Sequence, residues 1–356
     1  MPTVASGPLH AVLPMVEASQ VGDARRQAQR LATAHGLDEV AAGRLAIIVT
    51  ELGNNLVRHA QGGRLLLAAG RDDVLNGVEV LSLDDGPGMD LADCLRDGFS
   101  TGGTSGTGLG AVRRQADVFD AWSEPGAGTV LLARVDRDPR QAAAARAEGA
   151  FECGAAAIAA PGEIVCGDGW LLRQEGDQAT LVLADGLGHG PGAQEAALGA
   201  LAVMAAHPFQ SPAQLMERMH AALRPTRGAA VTLVRLDAAA GRVDYAGAGN
   251  VVARLVSGTE DRSLLVQHGT AGVAMSRVQQ MSAPWPEHAL LVLHSDGLAT
   301  RWRLPPTLLA RTPSLVSAAL LRDHARGRDD ATVVVVRRRP GRARSAPPAS
   351  SPSDPA

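Results

Sequence analysis

The stretch LVLADGLGHG, residues 181–190, carries the apolar run Leu181-Val182-Leu183-Ala184 straight into Asp185-Gly186 and then Leu187-Gly188-His189-Gly190. Asp and Gly both favour turns, so a strand that simply ends is one reading. A carboxylate held at a strand end, where glycine lets the backbone come close to a cation, is the other. Three more segments repeat the pattern: CGDGW with Asp168, LHSDGLAT with Asp296, and GRDDATVVVV with Asp329 and Asp330. The first three aspartates end an apolar strand and the last pair begins one, so a two-sheet sandwich gathers them at one edge. Carboxylate oxygens with a backbone carbonyl suit magnesium or manganese rather than zinc. Two such ions side by side generate a hydroxide nucleophile and stabilise both oxygens of an in-line displacement at phosphorus. Unrelated turns explain any one of these aspartates; they explain the whole set poorly.

Around these aspartates, residues 151–338 read as many short strands: AAAIAA, EIVCGDGWLL, ATLVLADG, AAVTLVRLD, GRVDYAGAGN, VVARLVSG, ALLVLHSDG and ATVVVVRRR. Helical stretches near 192–206 and 212–223 interrupt them, which predicts a β-sandwich flanked by helices. Upstream, residues 137–150 are charged and alanine-rich without a long apolar repeat, and are expected to be a linker or short connecting helix. Downstream, residues 339–356 form a proline- and serine-rich tail that cannot bury enough apolar surface to order.

Composition bounds the class. The chain has 356 residues, 46% hydrophobic, 20% charged and 3% aromatic, with a net charge of −3. That suits two domains with cores of Leu, Val and Ala, and gives no basic field for nucleic acid. Cys94, Cys153 and Cys166 lie far apart and without metal-type spacing, as expected of reduced thiols in a cytoplasmic protein. No apolar run approaches a membrane span and the first residues lack a signal-peptide layout, so no membrane association is expected.

The first half, residues 15–136, follows a short N-terminal extension (1–14). Its order reads helix (19–35), helix (38–60), strand, strand, glycine-rich loop, helix, strand, an α/β sandwich. On the second helix, TELGNNLVRHA places Glu51 and Asn55 four residues apart on one face. At a strand end, LDDGPGM supplies Asp84, Gly86 and Gly88 as D-x-G-x-G. Then GGTSGTGLGAVRRQAD runs Gly106, Gly108 and Gly110 into a helix start, where backbone N–H groups suit phosphates. His59, Arg113 and Arg114 are either near this site or on a solvated face.

In that order the three elements resemble the GHKL (Bergerat-fold) ATPase superfamily, in the compact form of the RsbT/RsbW/SpoIIAB serine kinases of sigma-factor regulation. The resemblance implies ATP and Mg2+ as cofactors. Asn55 would bind the magnesium, Asp84 the adenine, and Gly86, Gly88, Gly106, Gly108 and Gly110 would shape pocket and lid. Glu51 would be the general base toward a substrate serine, fitting phosphoryl transfer as mostly positioning and charge neutralisation.

The second half resembles the PPM metal-dependent serine/threonine phosphatases, specifically the SpoIIE/RsbX branch, through PGEIVCGDGW and VLADGLGHG; AGNV at 248–251 fits as well. An αββα sandwich with two Mg2+ or Mn2+ ions is implied. Asp185 would bridge the ions, the Gly186 carbonyl would hold one, Asp296 and Asp329 would complete the second, and Asp168 would orient the attacking water. The chain departs from many SpoIIE-like members in having Gly169-Trp170-Leu171 after Asp168, which puts a third ion in doubt. His189 is either a phosphate contact or part of the glycine loop's structure.

The two resemblances together imply opposed reactions on one type of protein: phosphorylation of a STAS-domain partner (an anti-sigma antagonist or stressosome-type protein) and removal of that phosphate. The alternative is a phosphatase whose first half is a non-catalytic ATP-binding module, docking on an anti-sigma or sigma factor or a STAS protein. A homodimer is compatible with either.

Overall fold

The computed structural model describes residues 7–60, 62–71, 74–94, 108–275 and 277–339. Its first half comprises β1 (Ala11–Met15), α1 (Ala18–His35), α2 (Glu39–His59), β2 (Gly63–Arg71), β3 (Asn76–Asp84), the one-turn α3 (Leu91–Cys94), α4 (Gly108–Gln115), β4 (Val118–Ser123) and β5 (Thr129–Asp136). The strands make one antiparallel sheet in the order β1-β2-β3-β5-β4. Asp38 caps α2 by accepting from the Ala41 N–H at 2.7 Å. The stripe Leu45, Ile48, Leu52 and Leu56 then packs with Leu65, Leu67, Val78 and Val80. Among the described residues α2 is the one helix long and apolar enough to cross a bilayer. That stripe lies instead in the core of this layer.

Two edge strands depart from the expected order. Residues 11–14, assigned to the N-terminal extension, lie in β1, where Pro14 is tolerated because the strand has only β2 as a neighbour. β4, at the opposite edge, is short and only partly buried, so no strong alternation marks it.

The second half begins with α5 (Pro139–Glu148), the helical form of the expected connection; Asp138 caps it and it buries no side chain. There follow β6 (Phe151–Ile158), β7 (Asp168–Glu175), β8 (Gln178–Gly186), α6 (Pro191–Ala206), α7 (Pro212–Ala222), β9 (Ala229–Asp237), β10 (Arg242–Ala248) and β11 (Val252–Val256). The chain then forms the two-residue strands β12 (Arg262–Ser263), β13 (Gly269–Thr270) and β14 (Ala274–Met275), then β15 (Met281–Pro284), β16 (Leu290–His294), α8 (Pro306–Leu309), α9 (Pro313–His324) and β17 (Ala331–Arg338). One sheet runs β15-β10-β9-β8-β7 and the facing sheet β12-β11-β16-β17-β6. Trp170, Leu181, Leu183, Val234, Leu291, Leu293, Val334 and Val336 fill the space between them. Helices α6 and α7 cover the outer face of the first sheet. Residues 163–167, expected inside a strand, form a turn because the Gly167 N–H donates to the Asp330 carboxylate rather than to a ladder partner.

The outer face of the second sheet is covered by α9, a helix the sequence reading does not contain. Every residue from Pro313 to Leu321 is buried, the small polar Ser314 and Ser317 included, so it carries no polar-against-apolar stripe to betray it. The reason is that both its sides are covered. Leu315, Val316, Ala318, Ala319, Leu320 and Leu321 share one cluster with Ala156, Val333 and Val335 below and with Leu81, Leu83, Trp122, Val130 and Leu132 of the first-half sheet above. Gly154 of β6 permits the approach, since a Cβ there would stand 2.1 Å from the Ser314 nitrogen. Both helix ends are tied to the first half. Asp120 accepts from the Thr312 N–H at 2.7 Å and hydroxyl at 2.9 Å, while Arg322 donates to the Asp84 carbonyl at 3.0 Å. The N-terminal segment adds a further tie, with Gly7 N–H donating to the Trp170 carbonyl and His10 N–H to the Ala157 carbonyl, each at 2.8 Å.

A buried ion pair sits in this interface. Glu79 and Arg134 face each other across β3 and β5, with an N–O distance of 2.6 Å, and Arg134 also reaches the Ser314 hydroxyl. Burial alone would raise the Glu79 pKa, but the Arg134 charge and His10 outweigh it and hold the carboxyl at about 2, below its ordinary 4.5. A depressed carboxyl stabilises the fold fully above its unfolded pKa and loses that contribution as pH falls through the folded value. Wild type should therefore exceed Glu79→Gln by several kcal/mol at pH 7, because the variant leaves Arg134 buried and unpaired. Denaturant titrations should show that gap shrinking between pH 4.5 and 2; a gap constant with pH would refute the assignment.

Candidate functional site

Two clusters of polar side chains emerge, one in each half. In the first, α2 presents Glu51 and Asn55, both partly buried, one turn apart. The glycine-rich run arrives at this face: a Cβ on Gly108, the first residue of α4, would lie 3.9 Å from the Asn55 amide oxygen. Leu109 and Val112 anchor α4 in the core, and Arg44 of α2 fixes its far end through Asp117 at 2.7 Å and the Gln115 carbonyl at 2.8 Å. Gly110 is buried in the first turn of α4. Gly106 lies outside the described residues.

Asp84 ends β3, and its carboxylate accepts from the Gly86 N–H at 2.9 Å. Burial raises its pKa, against that bond and the nearby Arg322 charge. Gly86 packs beneath the end of α2, where a Cβ would lie 3.0 Å from the Asp84 carboxylate and 3.3 Å from the His59 carbonyl, so a larger residue would be tight. Gly88 has φ +73° and would drive a Cβ to 2.2 Å from the Glu124 carbonyl, so only glycine suits it. Arg113 and Arg114 are exposed in the last turn of α4, the end away from Asn55, and His59 is exposed at the end of α2. The structure thus brings Asn55, Gly108 and the Asp84–Gly88 turn around one end of α2, and leaves both arginines apart.

In the second half, Asp168 and Asp185 stand directly opposite each other in the antiparallel register of β7 and β8. Like charges so placed repel, with Cβ atoms about 5 Å apart in such a pair. Burial first, and then the Asp168, Asp296 and Asp329 charges, push Asp185 up to about 9. Burial also lifts Asp168 to about 7, against hydrogen bonds from Ser295 and Thr332. Asp296 is raised likewise by burial and by Asp329. These are four carboxylates whose charges sense one another, with only the Arg326 charge acting against them at Asp296. Among the described residues no three such side chains already converge as a finished coordination shell. The donor set is oxygen only and its charge excess is what one or two hard divalent cations neutralise, so the residues fit magnesium or manganese.

Asp330 is excluded from that set. It is buried, and its two oxygens accept from the Ala160 and Gly167 N–H groups, both at 2.8 Å. The glycines after Asp185 and Asp296 have packing reasons of their own. A Cβ on Gly186 would meet the Ala193 carbonyl of α6 at 2.0 Å, and one on Gly297 the Asp330 carbonyl at 1.9 Å. His189 is exposed and bonds Glu163 at 2.6 Å, bracing the 186–190 loop. Sequence reading missed two supporting residues. Ser295, fully buried, donates to Asp168 at 2.7 Å and accepts from the Thr332 N–H at 3.0 Å. Asn250, within the quoted AGNV, donates to Asp296 at 2.6 Å.

Residues 15–135 match the family described as histidine kinase-like ATPase domain, and residues 175–339 that of stage II sporulation protein E. Asp168 lies upstream of the second match. The serine/threonine-protein kinase RsbT of Bacillus subtilis (strain 168) is 32% identical over 111 residues, 31% of this chain and 84% of RsbT. The phosphoserine phosphatase RsbX of the same organism is 22% identical over 139 residues, 38% of this chain and 69% of RsbX. A solved structure from work on the bacterial stressosome, described as a modular system adapted to control secondary messenger signaling, has a TM-score of 0.50 at 30% identity, covering 52% of this chain and 99% of its own.

The repulsion across β7 and β8 generates a prediction that needs no turnover. In EDTA, Asp185→Asn should melt about 2–4 °C above wild type, the shift expected from relieving roughly 1 kcal/mol. Added Mg2+ or Mn2+ should raise the wild-type melting temperature and leave the variant unchanged. A variant that melts lower in EDTA and still responds to the metals would remove Asp185 from the site.

Proposed function

Since the chain belongs through residues 15–135 to the histidine kinase-like ATPase family, as RsbT does, and carries a SpoIIE-type phosphatase domain over residues 175–339, we propose that it is a bifunctional switch acting on one phosphoprotein. The phosphatase half removes phosphate from phosphoserine or phosphothreonine, and the ATPase half installs it. The observation that carries the first part is the opposition of Asp168 and Asp185 beside Asp296 and Asp329. Asp185, Asp296, Asp329 and the Gly186 carbonyl would hold magnesium or manganese, which when bound supplies charge neutralisation at phosphorus and an activated water. The chain's own part is to hold this set. Ser295 fixes the Asp168 carboxylate, Asn250 fixes Asp296, and Asp330 ties the 160–167 turn to the start of β17. Asp168, held by Ser295, is the group placed to orient the attacking water.

In the ATPase half, Asp84 accepts from the adenine amino group and Asn55 offers its amide oxygen to the magnesium of ATP. Glu51, one turn before Asn55 on α2, takes the proton of the incoming serine hydroxyl. The substrate is a STAS-domain protein of the stressosome or partner-switching kind, and the setting is the cytoplasm. The kinship to RsbT and RsbX supports this reading.

One observation favours a second reading, in which the first half binds nucleotide and reports it without transferring phosphate. Arg322 of α9 bonds the Asp84 carbonyl and pairs with Asp85, so the nucleotide end of β3 is tied to the phosphatase half. The two readings part in one assay. Asp185→Asn, which cannot strip phosphate, is incubated with γ-labelled ATP, Mg2+ and the STAS protein encoded nearest to its gene. Label that vanishes in Glu51→Ala/Asp185→Asn, and that wild type removes with Mn2+, is the expected outcome. Intact ATP binding without label would leave the phosphatase as the one enzyme.

A further inference from the structure

Beside the aspartate cluster lies a cleft of about 880 Å³ that none of the roles above uses. Its walls come from Gly249–Arg254, Ser263–Val266 and Thr300–Arg303, with His324 at the end of α9. It opens next to the metal-type cluster, because Asn250, a wall residue, is the one that donates to Asp296. The floor is apolar and fixed. Trp302 is buried, with the Arg254 guanidinium 4.1 Å over its ring, and Val251, Ala253 and Leu264 lie beside it. The rim is cationic. Arg301 and Arg303 are exposed, and among the described residues neither forms an ion pair or hydrogen bond. No lining residue is acidic; of the carboxylates engaged with the walls, Asp296 takes the Asn250 amide at 2.6 Å and Asp261 is spent on Arg254 at 3.2 Å.

The floor also connects to the reacting end. The Trp302 indole N–H donates to His294 Nε2 at 3.1 Å, leaving His294 Nδ1 as the donor to the Ser295 carbonyl at 2.8 Å. Ser295 in turn holds Asp168. The floor of the cleft and the aspartates thus share one chain of hydrogen bonds.

We infer that this cleft is the docking groove for the protein substrate, and that it takes the acidic segment flanking the phosphorylated serine. The inference rests on the phosphatase reading above and adds a specificity to it. An anionic segment offers what the rim lacks, carboxylates for Arg301 and Arg303, while its apolar side chains cover Leu265, which is 72% exposed. Rim charges of this kind act mainly on association and its salt dependence, and reach no atom at phosphorus.

The test separates groove from chemistry. A fluorescein-labelled phosphoserine peptide with three acidic residues on each side, and the same peptide with alanine flanks, are titrated by anisotropy against wild type and Arg301→Glu/Arg303→Glu in EDTA, where no turnover intrudes. Hydrolysis of p-nitrophenyl phosphate with Mn2+ is followed in parallel. The acidic peptide should bind wild type about tenfold more tightly than the alanine peptide, a difference of about 1.4 kcal/mol. The double variant should lose that preference, keep wild-type p-nitrophenyl phosphate turnover, and show a raised KM with unchanged kcat on the acidic peptide. Equal binding of both peptides, or a preference that survives the double substitution, overturns the groove. Wild type that binds the acidic peptide selectively but fails to hydrolyse p-nitrophenyl phosphate overturns the phosphatase reading and spares the groove.

Discussion

The structure depends on one buried helix. α9 lies between the β3–β5–β4 side of the first sheet and the β16–β17–β6 side of the second, and its apolar residues belong to both cores at once. Removing it would expose the open face of each sheet. A helix end is a cost unless its N–H or C=O groups find partners. At the N-terminus the Thr312 N–H finds Asp120 of the first half, where a carboxylate also suits the helix dipole; at the C-terminus the His324 carbonyl accepts from the Ala299 N–H, and the Arg322 side chain ties that end to the Asp84 carbonyl. The halves are thus joined by a shared core as well as by the peptide linking β5 to β6.

That arrangement gives the two candidate sites a fixed relation. Arg322 touches Asp84 and Asp85 at the end of β3. Only four residues later the Arg326 N–H donates to the Gly297 carbonyl at 2.8 Å, next to Asp296, and the chain proceeds to Asp329. The like-charged aspartates are held there by the same framework, since Ser295, Thr332 and Asp330 all belong to β16, β17 or the turns between them. A cluster that stores repulsion can persist only where the surrounding fold over-determines it. The covered sheet and its helix supply that rigidity.

Much of the site was legible in the sequence because its elements are local. A carboxylate followed by glycine at a strand end is a pattern of adjacent residues, and the register of β7 and β8 then brings Asp168 and Asp185 together. Glu51 and Asn55 follow from helical spacing alone, and Gly108 from a helix start. What escaped is what depends on distant partners. α9 has no polar face because both its faces are buried, so periodicity is silent about it. β1 and β4 are edge strands with weak alternation. Ser295, Asn250 and Arg322 have ordinary local contexts, and each acquires a role only through a residue at least 37 positions away, as with Ser295 and Thr332. The two aspartates of GRDDATVVVV look equivalent in the sequence, yet Asp330 spends both oxygens on backbone N–H groups and Asp329 does not.

Scanning calorimetry of the full chain, alone and with either a non-hydrolysable ATP analogue or Mn2+, tests the shared core most directly. One transition, raised by each ligand separately, is the predicted result, since anything that binds the folded form stabilises the whole cooperative unit. Two resolved transitions, one moved only by the nucleotide analogue and the other only by Mn2+, would contradict it and make the chain two independent domains on a tether.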